Sequence, residues 1–347
     1  LSKDIYTDDF VEQLEKLIGL EHLDYVITNH MEPDHSGALL RLRELAPQAK
    51  FLGMNKAVAM MKDFYGIEQN VEVLKHEQTL SLGKNTLKFI YTPLVHWPET
   101  MMTYMLEEKI LFSCDGFGSF GCLDGVLFDD ETSDRDFYER EALRYYTNII
   151  AAFSKHVLQA LDKLSAYEVQ MVAPSHGLVW RKDPARIISL YKEWAALATE
   201  RAEPGVTVLY GTMYRNTERA LEHALQALAS ENVPVEVFNV GLTDPSYILP
   251  ELWTKQGVLI AAPTYERAMF PAMVRALNMA EIKGVRNKTA AYIGSYSWSG
   301  GAKNVFEGYA DRLNWDVVGT HEFIGSAKAD DLEQIRTLSR ELARRSR

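Results

Sequence analysis

The sequence predicts an α/β protein that is divided into two domains. Its 347 residues suit two domains of ordinary size. β-rich runs alternate with helix-like segments along both halves of the chain, which is typical of layered α/β folds. A predicted helix ends at Glu203-Pro204-Gly205, where proline followed by glycine is a stop signal. We therefore predict one domain over residues 1–203 and a second over residues 204–347.

Composition restricts the classes of partner. Apolar residues make up 47% of the chain and charged residues 24%, which is typical of globular proteins. No apolar run approaches the ~20 residues needed to span a bilayer, so no membrane partner is expected. The net charge of −11 argues against a nucleic-acid backbone as partner. Two cysteines, Cys114 and Cys122, are too few for a disulfide framework, so a cytoplasmic location is expected.

The first half is predicted to open with a helix and then to alternate strands and helices. Residues Thr86–Tyr91 alternate with the period of two that marks a half-buried strand. Residues 101–112 form a predicted hairpin, with charged residues near its turn. The other predicted elements are helices at Thr7–Ile18, Leu39–Leu45, 134–164 and 184–201, and strands at 24–29, 51–54 and 170–173.

The second half is more regular. Five predicted strands alternate with helices, which indicates a doubly wound parallel sheet. The predicted strands are 206–210, 235–240, 258–262, 290–294 and 317–323, and the helices begin near residues 217, 245, 271, 301 and 330.

Four possible metal ligands occur within six residues directly after the first predicted strand. They are His30, Glu32, Asp34 and His35. In an extended segment or loop, alternate residues point the same way, so the first three can converge while His35 approaches from the other side. Burying such a cluster without a metal would be costly. The segment therefore predicts a metal centre.

Three further candidates, His96, Asp115 and His176, each follow a predicted strand. Strand ends are where a layered scaffold presents its chemistry. Any one of these histidines alone would more often be a structural or surface residue, but the joint pattern favours ligands. We assign the remaining histidines to the structural or surface class, namely His22, His76, His156, His223 and His321.

The seven residues resemble the ligand set of the metallo-β-lactamase superfamily, whose usual first motif is His-x-His-x-Asp-His. Glu32 replaces the second histidine, and in this respect the chain is similar to flavodiiron proteins over essentially its whole length. The resemblance implies an αββα metallo-β-lactamase-like domain followed by a flavodoxin-like domain with a five-stranded parallel sheet. The strands that normally open the first of these folds are not recognised. We expect either that a segment precedes this sequence or that the protein is a truncated form.

The glutamate also has a chemical meaning. Zinc hydrolases favour neutral imidazole ligands, whereas mixed histidine and carboxylate sites suit redox-active iron. Glu99, in turn, stands where related proteins often have aspartate. The resemblance implies that one iron is held by His30, Glu32 and His96, a second iron by Asp34, His35 and His176, and that Asp115 bridges the two.

The first of three candidate FMN-binding loops in the second half resembles the phosphate loop of flavodoxins. Thr212 and Thr217 flank the first loop, and hydroxyl and backbone N–H groups at a helix N-terminus suit a phosphate. The other two loops follow the third and fourth strands, near the switch point where such sheets bind ligands. FMN is preferred to FAD because no dinucleotide glycine motif is found. The candidate FMN-binding residues are Thr212, Met213, Tyr214, Arg215, Asn216, Thr217, Pro263, Thr264, Tyr265, Glu266, Arg267, Ala268, Ser295, Tyr296, Ser297, Trp298, Ser299 and Gly300.

The resemblance implies an oxidoreductase that passes electrons through FMN to a non-haem di-iron site, which reduces O2 to water, NO to N2O, or both. It implies rubredoxin or a reductase as the electron donor, and a head-to-tail homodimer or a dimer of dimers as the working unit. The residues also allow a zinc-dependent hydrolase with a flavodoxin-like appendage, which Glu32 disfavours. A non-catalytic electron carrier is the second alternative, and the seven converging ligands disfavour it.

Overall fold

The computed structural model describes all residues, Leu1–Arg347, and divides the chain into two compact units. The first unit contains Leu1–Tyr146 and Phe153–Glu193, and the second contains Thr147–Ala152 and Trp194–Arg347. Apart from the short segment Thr147–Ala152, the chain therefore passes from the first unit to the second between Glu193 and Trp194. The domain limits 1–203 and 204–347 stay a prediction.

The first unit contains two sheets. Its parallel sheet has the strand order β1-β2-β3, and helical crossovers join the strands as parallel neighbours require. The second sheet has the order β4-β5-β6-β7-β8, antiparallel except that β7 and β8 run parallel. The strands are β1 (Tyr25–Thr28), β2 (Lys50–Gly53), β3 (Val71–Val73), β4 (Thr79–Ser81), β5 (Thr86–Tyr91), β6 (Met101–Met105), β7 (Ile110–Cys114) and β8 (Met171–Pro174).

Seven helices accompany these sheets. One hydrophobic cluster includes Phe51 and Leu52 of the parallel sheet and Phe89 of the mixed sheet, all buried, and Phe10 and Leu14 of the first helix pack against it. This burial is the main stabilising contribution to the unit. The helices are α1 (Thr7–Ile18), α2 (Pro33–Ser36), α3 (Leu39–Leu45), α4 (Asn55–Tyr65), α5 (Arg135–Tyr145), α6 (Ser154–Leu164) and α7 (Pro184–Ala196).

Two predicted helices differ from the observed ones. The helix predicted over residues 134–164 is interrupted, because a π-helical turn at Tyr146–Ile150 and a 3-10 turn at Ala151–Phe153 separate α5 from α6. The Tyr146 side chain is fully buried there, with its hydroxyl 2.6 Å from that of Ser154. The predicted helix 184–201 ends earlier, at Ala196, with turn hydrogen bonds from Thr199 and Glu200 to its carbonyl. Tertiary packing overrides helical periodicity at such places.

The second unit has a five-stranded parallel sheet with the order β10-β9-β11-β14-β15. This order corresponds to the flavodoxin-like 2-1-3-4-5 arrangement, whose switch point lies between β9 and β11. The α/β class and the parallel sheet predicted from the sequence are thus confirmed. The strands are β9 (Glu203–Tyr210), β10 (Val235–Asn239), β11 (Lys255–Ala261), β12 (Thr264–Tyr265), β13 (Ala268–Met269), β14 (Thr289–Tyr296) and β15 (Asp316–Ile324).

Helices connect the strands of this sheet. None of the helices in either unit combines the length and the apolar character that crossing a bilayer requires. The small hairpin β12–β13 was not predicted, and its turn places Glu266 and Arg267 at positive φ angles of 45° and 65°. The helices are α8 (Asn216–Ser230), α9 (Pro245–Thr254), α10 (Pro271–Lys283), α11 (Ala302–Leu313) and α12 (Ala329–Arg345).

Candidate metal centre and binding loops

The His30–His35 segment changes from loop to helix along its length. β1 ends at Thr28, and Pro33 occupies the first turn of α2, where its fixed φ angle favours a helix start. The Ser36 hydroxyl donates to the Met31 carbonyl at 2.9 Å and so holds the loop against the helix. The sequence interpretation of an extended or loop segment is therefore wrong for Asp34 and His35, which lie in α2. The helical turn still directs both side chains to the site.

Four of the predicted ligands form one group, namely His30, Glu32, His96 and Asp115. Their ligand atoms all lie within 4.8 Å of one another. Glu32 Oε2 lies 3.3 Å from His30 Nε2 and 3.0 Å from His96 Nε2. Asp115 Oδ2 lies 3.2 Å from His30 Nε2. The nitrogen and oxygen atoms therefore converge on a single volume.

Asp34, His35 and His176 form a second group with the same spacing limit. The Nε2 atoms of the two histidines lie 3.3 Å apart, and His176 Nε2 lies 3.4 Å from Asp34 Oδ2. Asp115 reaches this group through its other oxygen, because Oδ1 lies 3.0 Å from His35 Nε2 and 3.3 Å from His176 Nε2. The two oxygens of one buried carboxylate thus face two different ligand groups.

Burial and neighbouring charges shift the pKa values of the site residues in opposite directions. Burial alone would raise the pKa of Asp115, but hydrogen bonds from His176 and His35 lower it far below its usual value. Burial lowers the pKa of His96. Against the effect of burial, hydrogen bonds to Glu32 and Glu99 raise the pKa of His30 to about 9, and bonds to Asp115 and Asp34 raise that of His176 to about 9. Nearby carboxylates thus favour the charged form of His30 and His176, whereas burial favours the neutral form of His96.

Two carboxylate oxygens of the ligand groups lack hydrogen-bond partners, although each lies within 3.5 Å of a histidine Nε2 atom. Asp34 Oδ1 and Asp115 Oδ2 are buried and accept no hydrogen bond. Buried carboxylates are normally satisfied by hydrogen bonds or by coordination to a metal. Four imidazoles and three carboxylates supply the mixed nitrogen and oxygen donors that transition metals take. The residues therefore fit a pair of metal ions.

The structure brings all seven sequence-predicted ligands together, and none of the other five histidines belongs to either group. Two contacts were not predicted. Glu99 Oε1 lies 2.7 Å from His30 Nδ1, and the Tyr145 hydroxyl donates to Asp115 Oδ1 at 3.0 Å. In the sequence, Glu99 is distinguished only as a departure from related proteins, and no sequence signal links Tyr145 to Asp115. Cys114 is buried beside His35 and Asp115, and burial raises the pKa of its thiol well above the usual value.

A small cavity in the second unit lies where the three predicted loops meet. The N-terminus of α8 opens onto it, and buried Thr217 Oγ1 lies 2.9 Å from Ser295 Oγ. The Thr212 hydroxyl accepts the Arg215 N–H at 3.0 Å, which closes the first loop. The predicted residues that line the cavity are Thr212, Met213, Tyr214, Asn216, Thr217, Pro263, Thr264, Ser295, Tyr296 and Ser297, and Gly325 joins them without having been predicted.

The other predicted loop residues do not line this cavity. Tyr265 is 42% exposed and Trp298 is 75% exposed, with the Arg267 guanidinium 5.6 Å from the Trp298 ring. A Cβ atom on Gly301 would lie 2.0 Å from the Arg267 carbonyl oxygen, so that glycine permits the second and third loops to approach each other. The residues outside the cavity lining are Arg215, Tyr265, Glu266, Arg267, Ala268, Trp298, Ser299 and Gly300.

Known proteins match this chain in both sequence and structure. A family model described as ODP family beta lactamase matches residues 2–177, about half of the chain. The anaerobic nitric oxide reductase flavorubredoxin of Enterobacter sp. (strain 638) is 34% identical over 347 residues, covering 98% of this chain and 70% of that protein. The flavodiiron protein from Giardia intestinalis has 28% identity and a TM-score of 0.94, covering 99% of this chain and 85% of that chain. This chain belongs to the flavodiiron protein family.

A second solved flavodiiron structure supports the assignment. The rubredoxin oxygen:oxidoreductase of Desulfovibrio gigas has a TM-score of 0.94 and 25% identity, covering 99% of this chain and 86% of that chain. The chain spans only 62% of the length of the flavorubredoxin from Salmonella arizonae, to which it is 37% identical over 305 residues, or 86% of this chain. These similarities favour the flavodiiron interpretation over the zinc hydrolase with a flavodoxin-like appendage.

Proposed function

We propose that this flavodiiron chain is an oxidoreductase that passes electrons through FMN to a di-iron site, which reduces O2 to water, NO to N2O, or both. The observation that carries the proposal is the arrangement around Asp115, whose Oδ1 and Oδ2 face different ligand groups. A carboxylate in this position can be shared by two metal ions. Relatives named as a nitric oxide reductase and as an oxygen:oxidoreductase support the two substrates.

The two ligand groups suggest how the metal ions would be divided. Asp115 would bridge, and its short contacts with four histidines hold its carboxylate between the groups. When bound, a pair of irons supplies two one-electron equivalents beside a single substrate site. The Tyr145 hydroxyl keeps Asp115 oriented by donating to Oδ1 from a buried position. The proposed ligands are His30, Glu32 and His96 for one iron, and Asp34, His35 and His176 for the other.

The loops of the second unit are proposed to hold FMN. The N-terminus of α8 and the hydroxyls of Thr212, Thr217 and Ser295 surround the cavity, and such groups suit a phosphate dianion. The aromatic rings of Tyr265 and Trp298 are exposed on the neighbouring loops, where an isoalloxazine ring could contact them. FMN can take up electrons in pairs and release them singly, which matches delivery to iron.

Partners and location belong to the same proposal. The Desulfovibrio gigas protein is named for rubredoxin, which supports a rubredoxin or a reductase as the electron donor. A head-to-tail homodimer or a dimer of dimers, and a cytoplasmic location, are proposed with it. The absence of a disulfide framework is compatible with that location, because both cysteines are free.

The proposal is tested by cofactor analysis and two separate assays. Protein produced with iron available should contain about two irons and one FMN per chain, as the donor set suggests. After anaerobic reduction, addition of O2 or of NO in separate experiments should oxidise the protein and consume the gas. Stoichiometric zinc without iron would contradict the redox function and would support the zinc-dependent hydrolase instead. Iron and FMN without consumption of either gas would instead favour the electron carrier.

A further inference from the structure

Glu99 is a fully buried carboxylate directly behind the metal centre. Its side chain has 0% exposure, and its Oε1 atom lies 2.7 Å from His30 Nδ1. The same oxygen accepts the backbone N–H of Met31 at 3.0 Å. Glu99 is absent from both ligand groups, and it contacts the His30 nitrogen that faces away from Glu32 and Asp115. It is therefore placed to act on a ligand without being one.

The hydrogen bond determines which nitrogen of His30 can bind a metal. A carboxylate accepts only, so Nδ1 must carry the proton of the bond, and the lone pair of a neutral ring is left on Nε2. Nε2 is the atom that faces Glu32 Oε2 at 3.3 Å and Asp115 Oδ2 at 3.2 Å. Carboxylates placed this way behind metal-bound histidines fix the ring orientation and raise ligand basicity.

The surroundings make this arrangement rigid. The Trp97 ring packs edge-on against His30, with ring centroids 5.1 Å apart, and the His30 side chain has no exposed surface. The loop that carries Glu99 is tied down by Thr100, whose hydroxyl donates to the Thr92 carbonyl at 2.6 Å. The two hydrogen bonds to Oε1 thus hold both the His30 ring and the adjoining backbone of Met31.

We propose that Glu99 is a positioning residue that fixes the ring and tautomer of His30, and thereby sets the metal affinity of the group His30, Glu32 and His96 selectively. The proposal rests on the metal centre of the proposed function. No hydrogen bond or ion pair joins Glu99 to the second group, Asp34, His35 and His176, whose members contact one another instead. Loss of the Glu99 charge should consequently loosen one iron of the pair and leave the other in place.

The test measures iron release from the iron-loaded, full-length protein to a competing chelator under anaerobic conditions. In Glu99→Gln, one of two irons should bind roughly 10–100-fold more weakly, the usual cost of removing such a partner, while the second keeps its wild-type affinity. Mössbauer spectra of the same samples should show one altered iron environment and one unchanged. Glu99→Asp keeps the charge on a shorter side chain and should fall between wild type and Glu99→Gln.

Asp129→Asn is the matched control, because Asp129 is also buried in the first unit but accepts only the backbone N–H groups of residues 181–183. It should lower thermal stability without changing either iron affinity. Equal loosening of both irons in Glu99→Gln, or no loosening at all, overturns the positioning role. Wild-type protein that binds no pair of metals would overturn the proposed function as well, so the two failures are distinguishable.

A measurement on wild-type protein keeps the proposal testable if Glu99→Gln does not fold. With diamagnetic zinc in place of iron, long-range 1H–15N NMR spectra should show His30 bound through Nε2, with a slowly exchanging Nδ1 proton. A His30 ring bound to the metal through Nδ1 would overturn the proposal.

Discussion

The two candidate sites differ in what presents the chemistry. In the first unit the ligands include buried charged side chains, with His30 and Asp115 each 1% exposed and in contact with each other. In the second unit the loops provide hydroxyl groups and a helix N-terminus. Their aromatic side chains are exposed to solvent, Tyr214 to 83% and Trp298 to 75%. A metal site depends on residue identity, whereas a phosphate loop depends mainly on backbone conformation. Replacing a metal ligand in the first unit should therefore be far more damaging than replacing a residue of the phosphate loop in the second unit.

The largest expected effect is loss of turnover in Asp115→Asn. Asparagine keeps the shape of Asp115 but loses the charge that offsets the repulsion between two metal ions. Reduction of O2 or NO should fall to background, while an artificial donor still reduces FMN in the other unit. Stopped-flow flavin absorbance and a gas electrode measure the two steps separately. Wild-type turnover in this variant would show that Asp115 does not bridge, and loss of flavin reduction would indicate a global defect.

A smaller effect is expected when Thr212 and Thr217 are both replaced by alanine. Each hydroxyl would donate to a charged phosphate, and such hydrogen bonds contribute about 1.5–3 kcal/mol each, so loss of both should lower FMN affinity at least about 100-fold. The iron content should not change, because the two sites lie in different units. Fluorescence titration of FMN measures the affinity. Thr254→Ala is the control, since that hydroxyl donates to the Pro250 carbonyl away from the cavity. Unchanged FMN affinity in the double variant would rule out the loop assignment.

Residue types and backbone conformation are not equally predictable from the sequence at the two sites. At the metal site the residue types are the more predictable part. His30, Glu32, Asp34 and His35 could be recognised because coordination needs those residue types, whatever the backbone does. The backbone itself was mispredicted, since Pro33 starts a helical turn inside the motif. Glu99 lies 69 residues from His30 in the chain, and only the fold brings the two together.

In the second unit the backbone architecture is the more predictable part, and the identity of the residues that line the cavity is the less predictable part. The parallel sheet follows from periodicity, because regular alternation of strands and helices leaves few topologies. The first loop was recognised by its resemblance to a flavodoxin phosphate loop. The details of the second and third loops do not follow, because the Glu266 and Arg267 turn and the close approach at Gly301 are tertiary features. Eight predicted loop residues consequently lie outside the cavity, while Gly325 joined it from the end of β15.

The two units also differ in how they accommodate buried charge, and the smallest effect is expected here. In the first unit the buried charged ligands face groups of opposite sign, but Lys288 in the second unit is only 3% exposed and donates to the Trp253 carbonyl at 2.7 Å. Burial lowers the pKa of Lys288 from 10.5 to about 7. Between those two pH values the unfolded chain binds a proton that the folded chain does not, so stability rises with pH, by up to about 1.4 kcal/mol per unit.

Below pH 7 the lysine is protonated in both states, and its contribution to the pH slope disappears. Urea unfolding at pH 7, 8 and 9 should therefore show a rise in the free energy of unfolding that is missing in Lys288→Met. Lys303→Met removes an exposed lysine of α11 and should keep the wild-type slope. A Lys288→Met protein with the wild-type pH dependence would show that Lys288 is charged in the folded state. In that case the Trp253 carbonyl is sufficient to stabilise the buried ammonium group. This carbonyl lies at the end of α9, where the helix dipole favours a cation.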